Sequence, residues 1–328
     1  FGIEGCDDVA LGRQAAHTVH APHRALPLPD DYLLTFAQLG VRLTDGMDSS
    51  IHIHSLANIT AQAQEVDLLY TGYYSDSITD SDGTREWLVR FDDETSLRLH
   101  YEYMHKLFPN DPDPAIYTPE FLAETQEGFE AAFRQAVGEV RDVTMSNWLD
   151  SVEIVHRQRR LTQFGNDLIR WQLECRTPFT DSDVVDFCLK LPPALRMDRC
   201  LFTGTLVNSF PKLAKVPNDR TGMPFLVDAR YLTLQARINL QYWLHKRGLV
   251  RNRPKHKRKL YARYDIWFRT SLRPWLEGIL LDRKTLERGI LRAEVIRQIV
   301  QEHMAGADRT RELGMLLSIE LWHRAYID

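Results

Sequence analysis

Apolar positions along this chain recur at helical spacing more often than in alternation. Val9, Ala10, Ala15 and Ala16 predict a short helix over residues 7–17, entered through Asp7 and Asp8, whose carboxylates suit the free N–H groups of a helix start. Residues 23–28 read as an extended segment, and Asp30 with Asp31 opens a second helix through Leu39. A turn at 44–47 follows, then a helical or extended stretch to Ala63. Leu68, Leu69 and Tyr70 form an apolar strand that breaks into Thr71 and Gly72, with Asp76 four residues past the glycine. A buried strand ending in a glycine turn delivers polar atoms to the carboxyl edge of a parallel sheet, where α/β folds bind ligands. The rhythm of the first seventy residues is βαβα, so the expected class is α/β with a parallel sheet.

Past Asp76 the pattern changes. The chain is polar through Arg85, and Pro109, Pro112 and Pro114 mark a loop. From Pro119 the period is helical through Phe121, Leu122, Phe129, Phe133, Val137 and Val140, and again from Trp148 to Arg160. Residues 174–181 read as a turn and 182–191 as an amphipathic helix stopped by Pro192 and Pro193. The rest is helical apart from a basic insertion at 246–259. The boundary falls between 81 and 119, giving an α/β part over 1–86 and a mainly helical part over 87–328.

Composition narrows the function classes. A net charge of −4 over 328 residues gives no footprint for nucleic acid or an acidic membrane surface. Four cysteines without C-x-x-C spacing indicate neither a zinc site nor a disulfide framework, so a reducing cytoplasm is the expected compartment. No stretch approaches the roughly twenty apolar residues of a membrane helix, and no signal peptide is visible. The chain opens without a methionine, as though on the end of a strand, which suggests a fragment or processed form.

Glu174-Cys175-Arg176-Thr177-Pro178-Phe179-Thr180-Asp181, followed by Val184-Val185-Asp186-Phe187 and Leu191-Pro192-Pro193, resembles the E-x-R-x-P-F-x-D turn, helix and L-P-P of the carboxy-terminal synthetase domain of asparagine synthetase. Phe1-Gly2 with Asp7-Asp8 is similar to the strand end and helix after the family's ATP-binding loop, and His23 to its histidine before the next strand. Residues 68–76 sit where the family has S-G-E-G-x-D-E-L, and 267–322 resembles its helical tail. The resemblance implies an adenine-nucleotide α-hydrolase type of sheet, and ATP-dependent amide formation in which a carboxylate is adenylated and an amine attacks the acyl-adenylate. ATP and Mg²⁺ are the implied cofactors, with a carboxylate substrate and an amine donor as partners.

On that resemblance Phe1, Gly2, Asp45, Gly46, Thr71 and Gly72 would contact nucleotide, and Asp76 would hold Mg²⁺ as a hard oxygen ligand. Its other reading is a helix cap. Arg220, before Gly222 in the 217–222 turn, would steady the pyrophosphate. Tyr73 stands at the place of the family's catalytic glutamate, as in its β-lactam-forming branch, where a phenol takes part in proton transfer. The 153–160 stretch is the expected source of a partner for it.

The family's S-G-G-x-D-S phosphate loop lies upstream of the Phe-Gly strand, so residues 1–328 alone are expected to bind ATP–Mg²⁺ weakly. Thr44-Asp45-Gly46-Met47-Asp48-Ser49-Ser50 fits that loop only in part and reads as the family's downstream D-G turn. A chain lacking the loop could instead be a non-catalytic homologue serving as a binding or scaffold subunit, or draw the loop from a partner chain. His17, His20 and His23, and His52 with His54, have spacings open to metal, against the commoner surface reading. Arg176 and Asp181 are expected to be structural, pinning the helix at Ser182 as a buried pair.

Overall fold

The computed structural model describes every residue except 80–92, 108–115, 126–127, 141–143, 220, 248 and 250–257. It is mostly helical, with a small two-stranded parallel sheet. Strand β1, Leu68–Tyr70, pairs in parallel with strand β2, Glu174–Arg176, in the register Leu68 to Glu174, Leu69 to Cys175 and Tyr70 to Arg176. The chain divides into two compact units, Phe1–Leu28 with Leu201–Ala262, and Pro29–Cys200 with Arg263–Asp328. The boundary expected at 86/87 lies outside the described residues.

In the first unit the helix expected over 7–17 runs Asp7–Thr18 with both aspartates in its first turn. The Asp7 carboxylate accepts from the Lys259 N–H at 2.8 Å, and Asp8 pairs with Arg258 at 2.9 Å. Gly2 and Pro27 form an isolated parallel bridge: the Gly2 N–H donates to the Leu26 carbonyl at 3.1 Å, and the Leu28 N–H donates to the Gly2 carbonyl at 3.2 Å. The extended segment read at 23–28 is therefore present only as that bridge.

The second unit is built around buried apolar helix faces. The helix opened by Asp31 runs Tyr32–Thr44, five residues past the expected end, because Ala37, Gly40, Val41 and Thr44 continue its buried stripe. The helix Thr310–Tyr326 packs against it, burying Leu313, Leu316, Leu317 and Leu321. A smaller core joins Val137, Trp148 and Val152, with the Trp148 indole N–H donating to the Val137 carbonyl at 2.9 Å.

Three sequence readings change. The 174–181 stretch is a strand followed by a 3₁₀ turn, Pro178–Thr180, and no simple turn. The helix read from Trp148 to Arg160 is a longer body in which Met145–Val152 passes into a π-helical stretch, Glu153–Thr162, and then into the helix Gln163–Arg170. Arg176 and Asp181 form no buried pair. Arg176 lies exposed against Glu174 at 2.7 Å, whereas the Asp181 carboxylate caps the helix Ser182–Lys190 by accepting the Asp183 N–H at 2.9 Å. Alternation along β2 turns Glu174 and Arg176 outward and leaves only Cys175 between them buried.

Candidate active site at the strand ends

Both strands are followed at once by a threonine, and the parallel register brings Thr71 and Thr177 side by side, their hydroxyls 3.2 Å apart. The Thr71 N–H extends the ladder by donating to the Arg176 carbonyl at 2.9 Å. Asn166, 1% exposed, lies beneath the pair. Its side-chain oxygen accepts from the Thr71 hydroxyl at 3.1 Å and the Cys175 thiol at 3.2 Å, and its amide N–H donates to Thr177 at 3.3 Å.

Gly72 and Tyr73 project from this edge. A Cβ on Gly72 would meet no atom within 4 Å, so the backbone there is open to a ligand. The Tyr73 ring lies on the backbone of Gly165, where a Cβ would stand 2.6 Å from Cζ and overlap the hydroxyl. That contact explains a glycine inside the helix Gln163–Arg170, where alanine would favour the helix by about 1 kcal/mol. Burial pushes the Tyr73 phenol above its ordinary value, and the charges of Asp48 and then Cys175 push the same way. Tyr73 is thus a neutral O–H at physiological pH.

Tyr74, buried and with φ of 69°, turns away from the open edge, its hydroxyl donating to the Gln163 side-chain oxygen at 2.7 Å. Ser77 continues the seam by meeting the Gln158 side chain of the π-helical stretch. Asp76 is exposed in the first turn of the short helix Ser75–Thr79, one oxygen accepting the Ser77 N–H at 3.0 Å. Both readings of Asp76 thus remain compatible, since the carboxylate caps its own turn with one oxygen only.

Asp45 and Gly46 end the helix Tyr32–Thr44 in left-handed conformation, with φ of 51° and 69°. The Trp322 indole N–H donates to the Asp45 carboxylate at 3.0 Å, and the ring fills the space a Gly46 Cβ would take, 2.7 Å away. The turn is sealed by a side chain. Two residues on, Asp48 accepts from the Ser49 N–H at 2.8 Å and faces His52 at 3.2 Å. Phe1 and Gly2 belong to the other unit, and Arg220 lies outside the described residues.

Sequence reasoning missed Asp48, Gly165 and Asn166. Gly165 carried a signal, being a poor helix former within a helical run, but Asn166 carried none. Among the described residues no three His, Cys, Asp or Glu side chains group to hold a metal ion, and no helix is long and apolar enough to cross a membrane.

His54, in the turn Ile53–Ser55, is held well below its ordinary value, to about 4, chiefly by burial and next by the neighbouring His52. The unfolded chain takes up this proton near pH 6.5 while the folded chain refuses it until about 4. The stability His54 contributes is complete above pH 6.5 and is lost as pH falls toward 4. Urea midpoints measured across that window should fall less steeply for His54→Asn than for the parent, and an identical slope would assign the loss elsewhere.

The family model for asparagine synthase matches residues 120–213 and 242–324, more than half of the chain. The chain belongs to the asparagine synthase family. No curated protein and no solved structure matches it. The matched segments of this ATP-dependent ligase family contain Gly165, Asn166, Cys175 and Thr177, that is, the second strand end and the helix beneath it. Thr71 to Asp76 precede them, and Arg220 falls in the gap between them.

Proposed function

We propose that this chain is the synthetase part of an ATP-dependent amide ligase, which joins a carboxylate to an amine through an acyl-adenylate at the carboxyl ends of β1 and β2. Family membership supports the ATP-dependent ligase class. The observation that carries the location is the open Gly72 backbone between the paired threonines and Asp76, in a parallel pair we read as part of an adenine-nucleotide α-hydrolase type of sheet. Four free cysteines suit a reducing cytoplasm.

The family uses ATP with Mg²⁺. Mg²⁺ keeps several waters and takes one or two carboxylates plus substrate phosphates, so the exposed Asp76 carboxylate fits it as a site shared with phosphate. Bound there, the ion would neutralise phosphate charge. Gly72 fits close approach of a nucleotide, whereas the Asp45–Gly46 turn is filled by Trp322. In this reading Asp45 and Gly46 act indirectly, by fixing the turn from which Asp48 acts on Tyr73. The roles expected of Phe1, Gly2 and Arg220 rest on the family resemblance alone.

The neutral Tyr73 phenol would serve as a proton donor, and as a base only with help; Asp48 is the carboxylate whose charge it feels most. The test is ATP–pyrophosphate exchange over a panel of carboxylates, using the full-length protein as its gene encodes it. Exchange that depends on a carboxylate supports the ligase. Nucleotide binding without exchange across the panel overturns it in favour of a non-catalytic binding subunit.

A further inference from the structure

Two threonines 106 residues apart meet at the strand ends, and among the described residues the buried side chain that bonds to both is Asn166. Asn166 also receives the Cys175 thiol and reaches the Gln163 side-chain oxygen at 3.5 Å, the same oxygen that accepts from Tyr74 at 2.7 Å. One amide thus links the residue after β1, a residue of β2, the residue after β2 and the loop carrying Tyr74. Its chain neighbour Gly165 is the seat of the Tyr73 ring.

Two strands of three residues each form too few ladder bonds to fix where they end. We infer that Asn166 is a positioning residue: its side chain locks the carboxyl ends of β1 and β2 together and so aims Gly72, Tyr73 and Asp76. The inference rests on the ligase reading only for what those three residues do; the lock itself is a statement about the free protein. An amide suits the task because it offers an acceptor to Thr71 and Cys175 and a donor to Thr177 and Gln163 at once. Leucine, of similar size, offers neither. Aspartate keeps the acceptor oxygens, and both threonine hydroxyls can donate to it, but it places a charge in a buried seam.

The lock and general stability therefore separate. Hydrogen exchange with mass spectrometry, on the full chain without nucleotide, should show Asn166→Leu speeding amide exchange about tenfold or more in peptides covering 68–79 and 174–181, with the helix Thr310–Tyr326 unchanged. Asn166→Asp should lower the melting temperature yet hold exchange at 68–79 within about threefold of the parent. Thr177→Val, which removes one arm and is the gentler change should Asn166→Leu not fold, should give an intermediate local rise. A uniform rise over all peptides, or unchanged exchange at 68–79 in Thr177→Val and Asn166→Leu, overturns the lock and leaves Asn166 as ordinary packing. Added ATP–Mg²⁺ should protect 68–79 in the full-length protein as its gene encodes it if the ligase reading holds; absent protection there counts against that reading alone, because the lock is read without nucleotide.

Discussion

Arg196→Met should destabilise the second unit by about 3–5 kcal/mol, the cost typical of breaking a buried ion pair from one side. Arg196 and Asp150 are 0% and 1% exposed and form an ion pair. A second guanidinium nitrogen donates to the Asn147 side-chain oxygen at 2.6 Å, and the Asn147 amide donates in turn to the Leu189 carbonyl at 3.1 Å. Arg196 closes the short helix Pro193–Arg196, so the pair ties that element to the helix Met145–Val152, which leads into the π-helical stretch and on to Asn166. Methionine would remove the Arg196 charge from beside the buried Asp150 carboxylate. Urea melts should show the drop, and Arg196→Met combined with Asp150→Leu should recover much of it by removing both charges. A loss under about 0.5 kcal/mol in the single variant would show that the pair contributes no more than an ordinary surface contact does.

The second large effect concerns Asp76. A hard cation that favours anionic oxygen is poorly served by a neutral amide, so Asp76→Asn should abolish carboxylate-dependent ATP–pyrophosphate exchange in the full-length protein as its gene encodes it. The fold should survive, because Asp76 is exposed and its one backbone bond, to the Ser77 N–H, can be kept by the asparagine oxygen. Tyr73→Phe should behave differently. The ring can keep its seat on Gly165, while the O–H that burial holds protonated is gone.

What the sequence disclosed, and what it hid, follows from how far each element depends on distant partners. The helix at Asp7, the turn at Asp45–Gly46 and strand β1 with its Thr-Gly edge were legible because acidic residues beside a helix dipole, left-handed turn residues and an apolar run act locally, although Asp7 and Asp8 also bond the distant Lys259 and Arg258. Strand β2 was hidden because it is three residues long and buries only Cys175 between two charged side chains, a pattern that reads as a turn until β1 is set beside it. Arg176 misled for the same reason. In a motif it suggested a buried anchor, but the strand turns it outward against Glu174.

The site was half legible. Thr71 to Asp76 announced themselves through the glycine turn, but the residues that hold them, Asn166 and Gly165, lie in an amphipathic helix whose pattern records only which face is buried. A polar hub such as Asn166 is defined by four partners spread over a hundred residues, and no local spacing encodes it.

The measurement that bears most directly on the strand ends as the active site is a comparison of two half-reactions in two variants: ATP–pyrophosphate exchange and amide formation, in Asp76→Asn and Tyr73→Phe. Asp76→Asn should lose both, since amide formation needs the activated carboxylate. Tyr73→Phe should keep exchange near the parent level while amide formation slows by about a hundredfold, the usual scale for loss of a proton-transfer group. Full activity of both variants in both assays would contradict the account and place the chemistry elsewhere in the protein.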